Sequence, residues 1–280
     1  MRMEPIKNAN EFKKLFEKHY QERVKLEEGL AKDTRKHGTL KKSGFCLLCE
    51  KETLFLIDFA YSNGTTPNYR ERLICEHCGL NNRQRFCAYY ALKLIQKRRY
   101  QDIYLYEQVT GLFKIFSELL NNKKITGSEY LGHNIDSGKI INGIRHEDAL
   151  NMSFQKESLD LIISNDVYEH VPNPKRALKE AHRTLKTNGI LLFSIPFYPN
   201  KEKSEERAKL ENGNIRYCLP EQYHGNPISS KGSLVFTDFG WDVLSMCEEA
   251  GFKRAEMLTY YDEKYGHIGD CFQHCFRADK

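Results

Sequence analysis

The chain is 280 residues long, with 40% hydrophobic residues, 29% charged residues and a net charge of +5. That is enough for one large domain plus a small one, in proportions ordinary for a soluble globular protein. No run approaches the roughly 18 apolar residues of a membrane-spanning helix, and Met1 to Asn10 lacks the apolar region of a signal peptide, so the mature chain is expected to begin near Met1.

The nine cysteines are an odd number with no export signal, which suits a reducing compartment better than a disulfide framework. The expected location is the cytoplasm. Charge is unevenly divided: residues 1–100 hold 21 Lys and Arg against 12 Asp and Glu. Such a basic end attracts a polyanion such as RNA, or is simply a solvated face.

In chain order, residues 11–31 read as an amphipathic helix, with Phe12, Leu15, Phe16, Tyr20 and Val24 at helical spacing. Residues 33–43 read as a linker. The strand-like runs Leu54–Tyr61 and Tyr69–Ile74 flank the turn-rich Ser62 to Pro67 and make a hairpin. A helix from Arg83 to Arg99 follows, packing through Phe86, Tyr90, Leu94 and Ile95.

Strands then alternate with helices. Strands are expected at Ile103–Glu107, Lys124–Tyr130, Gly143–Asp148, Leu159–Asn165 and Ile190–Ile195, with a helix at Leu112–Leu120. Another helix starts with Asn173 as N-cap and Pro174 in its first turn, buries Ala177, Leu178, Ala181 and Leu185, and stops at Asn188-Gly189. Residues 197–236 read as a long irregular lid. A helix at Asp238–Ala250 and strands near Ala255–Tyr261 and Asp270–Arg277 close the chain. This alternation predicts a doubly wound, Rossmann-like α/β domain. The expected organisation is 1–42 for the helix and linker, 43–100 for the cysteine module and its helix, and 101–280 for the α/β domain.

Cys46, Cys49, Cys75 and Cys78 form two C-x-x-C pairs that bracket the hairpin, a zinc-ribbon spacing. Four thiolates complete a tetrahedron and leave no position for an activated water, so the predicted zinc is structural. An iron–sulfur cluster or redox dithiols are the competing readings. His77 lies inside the second pair but is expected to stay off the metal. Cys87, Cys218 and Cys247 read as isolated buried thiols. Cys271, His274 and Cys275 do not converge on one strand face.

In an open α/β sheet, ligands bind at the carboxyl ends of the strands. The first such end is Glu107-Gln108-Val109-Thr110-Gly111, and about 20 residues later Glu129 stands where an acid accepts from two ribose hydroxyls. The stretch Ser158 to Pro172, with Asn165-Asp166-Val167-Tyr168-Glu169-His170, resembles the fourth-strand signature of class I SAM-dependent methyltransferases, of the type 11 kind. So do Ile190 to Pro196 and Phe239 to Phe252. The resemblance implies a seven-stranded methyltransferase sheet and S-adenosyl-L-methionine as cofactor. It implies that Glu107 and Gly111 form the first loop, that Glu129 holds the ribose, that Asp148 and Ala149 meet the adenine, and that Asn165 lies beside the methionine moiety. It also sets off a departure: Val109 and Phe113 stand at two positions where the family has glycine. Glu169 and His170 are expected to cap and brace the helix after the fourth strand.

Methyl transfer is an in-line displacement, so the protein aligns the acceptor and removes its proton. His224, in Tyr223-His224-Gly225-Asn226-Pro227, is the candidate base, with Tyr217 and Tyr223 nearby in the lid. The expected acceptor is a small molecule or a sugar hydroxyl. The alternatives are RNA, reached through Arg83, Arg85, Phe86, Arg98, Arg99 and Tyr100, or a binding protein with a decayed cofactor site. The sequence does not specify an oligomeric state.

Overall fold

The computed structural model describes residues 3–280. Its main sheet has seven strands, in the order Met3–Ile6, Arg254–Tyr260, Gln273–Asp279, Leu185–Ser194, Leu159–Asn165, Asp102–Leu105 and Lys124–Gly127. The last four pair in parallel, whereas Gln273–Asp279 runs antiparallel to Leu185–Ser194. Central strands buried on both faces need continuous apolar runs, and Leu161, Ile162, Ile163, Leu191 and Leu192 supply them, all fully buried.

By contacts the chain divides into two units, Met1–Lys93 with Met257–Cys275, and Leu94–Glu256 with Phe276–Lys280. In the first, the helix Ala9–His37 starts at a reciprocal cap: Asn8 Oδ1 accepts from the Glu11 amide, and Glu11 Oε2 accepts from the Lys7 amide. The helix ends at Gly38, whose φ of 76° stops it. It therefore absorbs residues 33–37 of the stretch expected to be a linker. Residues 40–43 of that stretch start the strand Leu40–Cys46, which pairs with Lys51–Ile57. Of the run Tyr69–Ile74, only Ile74–Cys75 is strand, after Leu73 turns at a φ of 56°. Phe55 fills the centre of this unit, and Gly44 and Gly266 both press on its ring, where a Cβ would stand 2.8 and 2.5 Å from it.

In the second unit, Asn173 caps the helix Pro174–Thr184 by accepting from Arg176 N, and Ala177, Leu178 and Ala181 are buried as expected. The helix stops earlier than expected, because Leu185 already pairs with Leu159 as sheet. The expected strand at Gly143–Asp148 is reduced to the two-residue hairpin partner Ile144–Arg145 and a single parallel bridge from Glu129 to His146. The seventh strand is instead Met3–Ile6.

The segment 197–236 is not irregular. It folds into the hairpins Ala208–Glu211/Asn214–Tyr217 and Tyr223–Asn226/Ser229–Leu234, and Glu205–Glu206 pairs with Thr237–Asp238. Short strands rich in Glu, Lys, Asn and Gly carry little apolar alternation, so their period is hard to see in sequence.

Candidate active site and cysteine cluster

The carboxyl ends of the strands Asp102–Leu105 and Leu159–Asn165 meet through side chains. Asn165 Nδ2 donates to Glu107 Oε1 at 2.7 Å, while Thr110 donates its hydroxyl to Glu107 Oε2. Thr110 is also the N-cap of the helix Gly111–Leu119, accepting from the Phe113 amide. Glu107 is nearly buried, so these charge-assisted bonds fix its orientation.

Glu129 reaches back to the same loop. Its Oε1 accepts from the backbone amides of Gln108 and Val109 at 2.7 and 3.0 Å. The Gln108 side chain bonds in turn to Gly143 O and Arg145 N. The first loop is therefore tied to the ends of the second and third segments by hydrogen bonds alone.

The backbone of this loop forms without the expected glycines. Neither Val109 nor Phe113 takes a positive φ, so neither position needs glycine for its backbone. The glycine that is needed sits across the way: a Cβ on Gly127 would lie 2.4 Å from the Phe113 ring and 2.6 Å from Glu107 O. Gly111 is exposed at the helix start.

Asp148 is half-buried and Ala149 buried. Asp148 Oδ1 accepts from Leu150 N at 2.8 Å, a local turn that fixes the carboxylate. Glu147 is committed to structure, bonding Arg145 Nε and both the amide and hydroxyl of Ser153. Glu129, Asp148 and Asn165 thus lie at the ends of successive strand segments with fixed carboxylate or amide groups. That donor and acceptor set fits a nucleoside carrying a methionine tail: acids for ribose hydroxyls and an adenine amino group, an amide for the amino-acid end.

Glu169 and His170 do not cap the following helix, which Asn173 caps. They sit in the 3-10 turn Tyr168–His170, under the second lid hairpin. Phe236 N donates to Glu169 O, and His170 Nδ1 bonds Leu234 O at 2.8 Å. That seating brings His224 Nδ1 to 3.6 Å from Glu169 Oε1, the same distance as His170 Nε2. The two imidazoles are edge to face, 5.1 Å apart. Sequence reasoning took His224 alone. The signal for its partners was the Glu-His pair itself, but nothing local said that a residue 54 positions on would join them. Tyr217 and Tyr223 are exposed on the lid.

In the first unit, the thiols of Cys46, Cys49, Cys75 and Cys78 lie within 4.8 Å of one another, and Cys49 Sγ is 3.9 Å from Cys75 Sγ. Sulfurs about 2.3 Å from a tetrahedral zinc lie about 3.8 Å apart, so the spacing fits one ion. Each pair sits on a tight turn: Glu50 has a φ of 54° after the first, and Gly79 one of 69° after the second, where Gly79 N bonds Cys75 O. Bonds from the Cys46 and Cys78 thiols, and from Thr53, hold the Cys75 thiol well below the usual range. His77 bonds Glu52 O and belongs to no metal-ligand group among the described residues.

Arg85 is the cation beside this cluster. It is fully buried, stacks on Phe55 at 4.2 Å and donates to the carbonyls of Tyr265, Gly266 and Leu73. Desolvation lowers its pKa, and the charges of Cys46, Cys78 and Cys75 oppose that shift. A buried guanidinium acting on three of these cysteines would offset part of the negative charge of a four-thiolate metal centre. Cys87 and Cys247 are buried as expected, but Cys218 is exposed, because it follows a lid strand rather than a core one.

Residues 106–193 match the family described as Methyltransferase domain. Solved structures similar to this chain include an S-adenosylmethionine dependent methyltransferase from Mesorhizobium loti, at 14% identity and TM-score 0.40, covering 69% of this chain and 98% of that one. Another, from Clostridium acetobutylicum, is 9% identical at TM-score 0.41, covering 72% and 92%. The 1,6-didemethyltoxoflavin-N1-methyltransferase of Burkholderia thailandensis is 11% identical at TM-score 0.38, covering 70% and 77%. No curated protein matches the chain significantly.

The family match and the order of the parallel strands define a class I methyltransferase domain. The protein that carries it is a SAM-dependent methyltransferase.

Proposed function

We propose that this enzyme methylates a hydroxyl group on a small molecule or sugar, and that its four-cysteine cluster holds a structural zinc. SAM supplies an electrophilic methyl group on a sulfonium. On this reading Glu129 keeps its second carboxylate oxygen for the ribose. Asp148 and the Ala149 backbone take the adenine, and Glu107, Gly111 and Asn165 shape the methionine end. His224, delivered by the lid hairpin to within 3.6 Å of the buried Glu169, takes the acceptor's proton. The acceptor oxygen then bonds the methyl carbon, and the sulfur leaves with the bonding pair as a neutral thioether.

The observation that carries the hydroxyl reading is this Glu169–His224 pair. A hydroxyl is too weak a nucleophile without loss of its proton, and a carboxylate beside an imidazole is a suitable arrangement for removing it. RNA has less support. Arg83 is paired with Glu71, Arg85 is buried, Phe86 stacks on Tyr260, and the Tyr100 hydroxyl bonds Asn188 O. Of the residues expected at such an interface, Arg98 and Arg99 alone are exposed. The nine free cysteines suit the cytoplasm, and no described helix is long and apolar enough to cross a membrane.

Incubation with methyl-labelled SAM, a mixture of hydroxylated metabolites and glycans, and total RNA tests the proposal. Label is expected in the small-molecule or glycan fraction, and less of it with His224→Ala. Label appearing in RNA alone would overturn it.

A further inference from the structure

We infer that Glu169, His170 and His224 form a second metal site, a two-histidine, one-carboxylate centre for a divalent transition-metal ion, separate from the cysteine cluster.

The first observation is an uncompensated charge. Glu169 has no exposed surface, yet neither carboxylate oxygen has a hydrogen-bond partner. A carboxylate removed from water without hydrogen bonds is strongly unfavourable unless a cation lies against it. No Lys or Arg pairs with it among the described residues; its two neighbours within ion-pair range are His170 and His224.

The second observation is how those imidazoles are aimed. His170 Nδ1 lies 2.8 Å from the carbonyl oxygen of Leu234, which can only accept, so that nitrogen carries the proton. The lone pair of neutral His170 is then on Nε2, facing Glu169. His224 Nε2 lies 3.2 Å from the amide nitrogen of Gln222, and its Nδ1 faces Glu169. The His170 lone pair, the Glu169 carboxylate and His224 Nδ1 then converge on one point, an arrangement that a cation there would stabilise. Backbone and amide partners that fix the outer nitrogen are the usual support of metal-bound histidines.

The third is distance. The three ligand atoms lie within 4.8 Å of one another, and Glu169 Oε1 is 3.6 Å from each histidine nitrogen. Ligand atoms about 2.1 Å from a tetrahedral ion lie about 3.4 Å apart, so one ion fits between them. Two imidazoles and one carboxylate suit zinc or ferrous iron and leave a position open. The imidazoles are 16% and 29% exposed, so exogenous ligands can reach that position.

The site would act on the reaction proposed above, and to that extent rests on it. With the ion bound, a hydroxyl at the open position would lose its proton more readily to solvent water, which would replace the direct uptake by His224 described above and leave His224 as a ligand. Lid and metal would also be coupled, since His224 and the Leu234 carbonyl both belong to the lid hairpin.

Metal binding is measurable without cofactor or acceptor, so its failure is separate from failure of the hydroxyl reading. The metal-free chain is titrated with Co2+, and bound ions are counted after gel filtration. Wild type is expected to bind two ions. One gives sulfur-to-cobalt charge transfer, and the other gives visible bands without it. His224→Ala, a lid substitution, should weaken only the second ion, by about 100-fold or more, and Glu169→Gln should do the same. Cys78→Ser should weaken the charge-transfer band and leave the second ion in place. A single ion in wild type, or a second ion unmoved by both His224→Ala and Glu169→Gln, would overturn the inference. If the ion binds but no hydroxyl is methylated, the acceptor assignment alone fails.

Discussion

Asn165, at the end of the strand Leu159–Asn165, donates its side-chain amide to Glu107, 58 residues earlier, at 2.7 Å. Two strand ends that no local pattern connects are thereby locked beside the loop proposed to receive the methionine end of the cofactor. Asn165→Ala leaves the nearly buried Glu107 with one fewer donor. The expected loss is about 1–3 kcal/mol of stability, read by urea unfolding, together with weaker SAM binding. Full retention of both would show the bond to be incidental.

The cysteine cluster should govern folding and not chemistry. A strong chelator, or Cys78→Ser, is expected to lower the melting temperature by about 10 °C or more, since structural zinc contributes roughly 10–16 kcal/mol in small modules. Metal analysis should find zinc bound to the untreated protein at this cluster. Four thiols that react freely in the untreated protein would contradict the assignment.

Arg85 makes three carbonyl contacts and one ring contact from a fully buried position. Arg85→Lys cannot reproduce that planar fork, and a destabilisation of about 3 kcal/mol is expected, though the charge is kept. Chemical denaturation in excess zinc reads it. An unchanged midpoint would mean that charge alone matters there.

Burial pushes Glu27 up to about 7 from an ordinary value of 4.5, against the bonds it accepts from Cys271 N and Gly269 N. The native chain therefore keeps a proton that the unfolded chain releases between those two values. Stability from this group is greatest at the low end of the window and falls as pH rises through 7, by about 3 kcal/mol. Glu27→Gln keeps an acceptor for the two amides and should flatten the pH 5–7 slope measured in excess zinc. A slope unchanged by the substitution would reject the assignment.

Much of this was legible in the sequence. Leu159–Asn165 is a continuous apolar run, and the structure places a strand on those residues. Asn173 and Pro174 announce the helix start, and the paired cysteines announce their own convergence. What was not legible depends on partners distant in sequence. Lys41 to Gly44 has linker composition but becomes strand by pairing with Thr53 to Leu56. The lid hairpins are polar, and their register is set by turns such as Gly213, with a φ of 79°. The joining of Glu169 to His224 depends on that lid folding back, which no spacing rule reports.

The most direct test of the account is calorimetric titration of SAM into wild type, Glu129→Gln and Glu129→Ala. The account predicts saturable binding to wild type and a loss of about tenfold or more in affinity for the alanine variant, worth about 1.4 kcal/mol. The glutamine variant, which can still cap the Gln108 and Val109 amides, should lose less. No heat from wild type, or equal affinities across the three proteins, would contradict it.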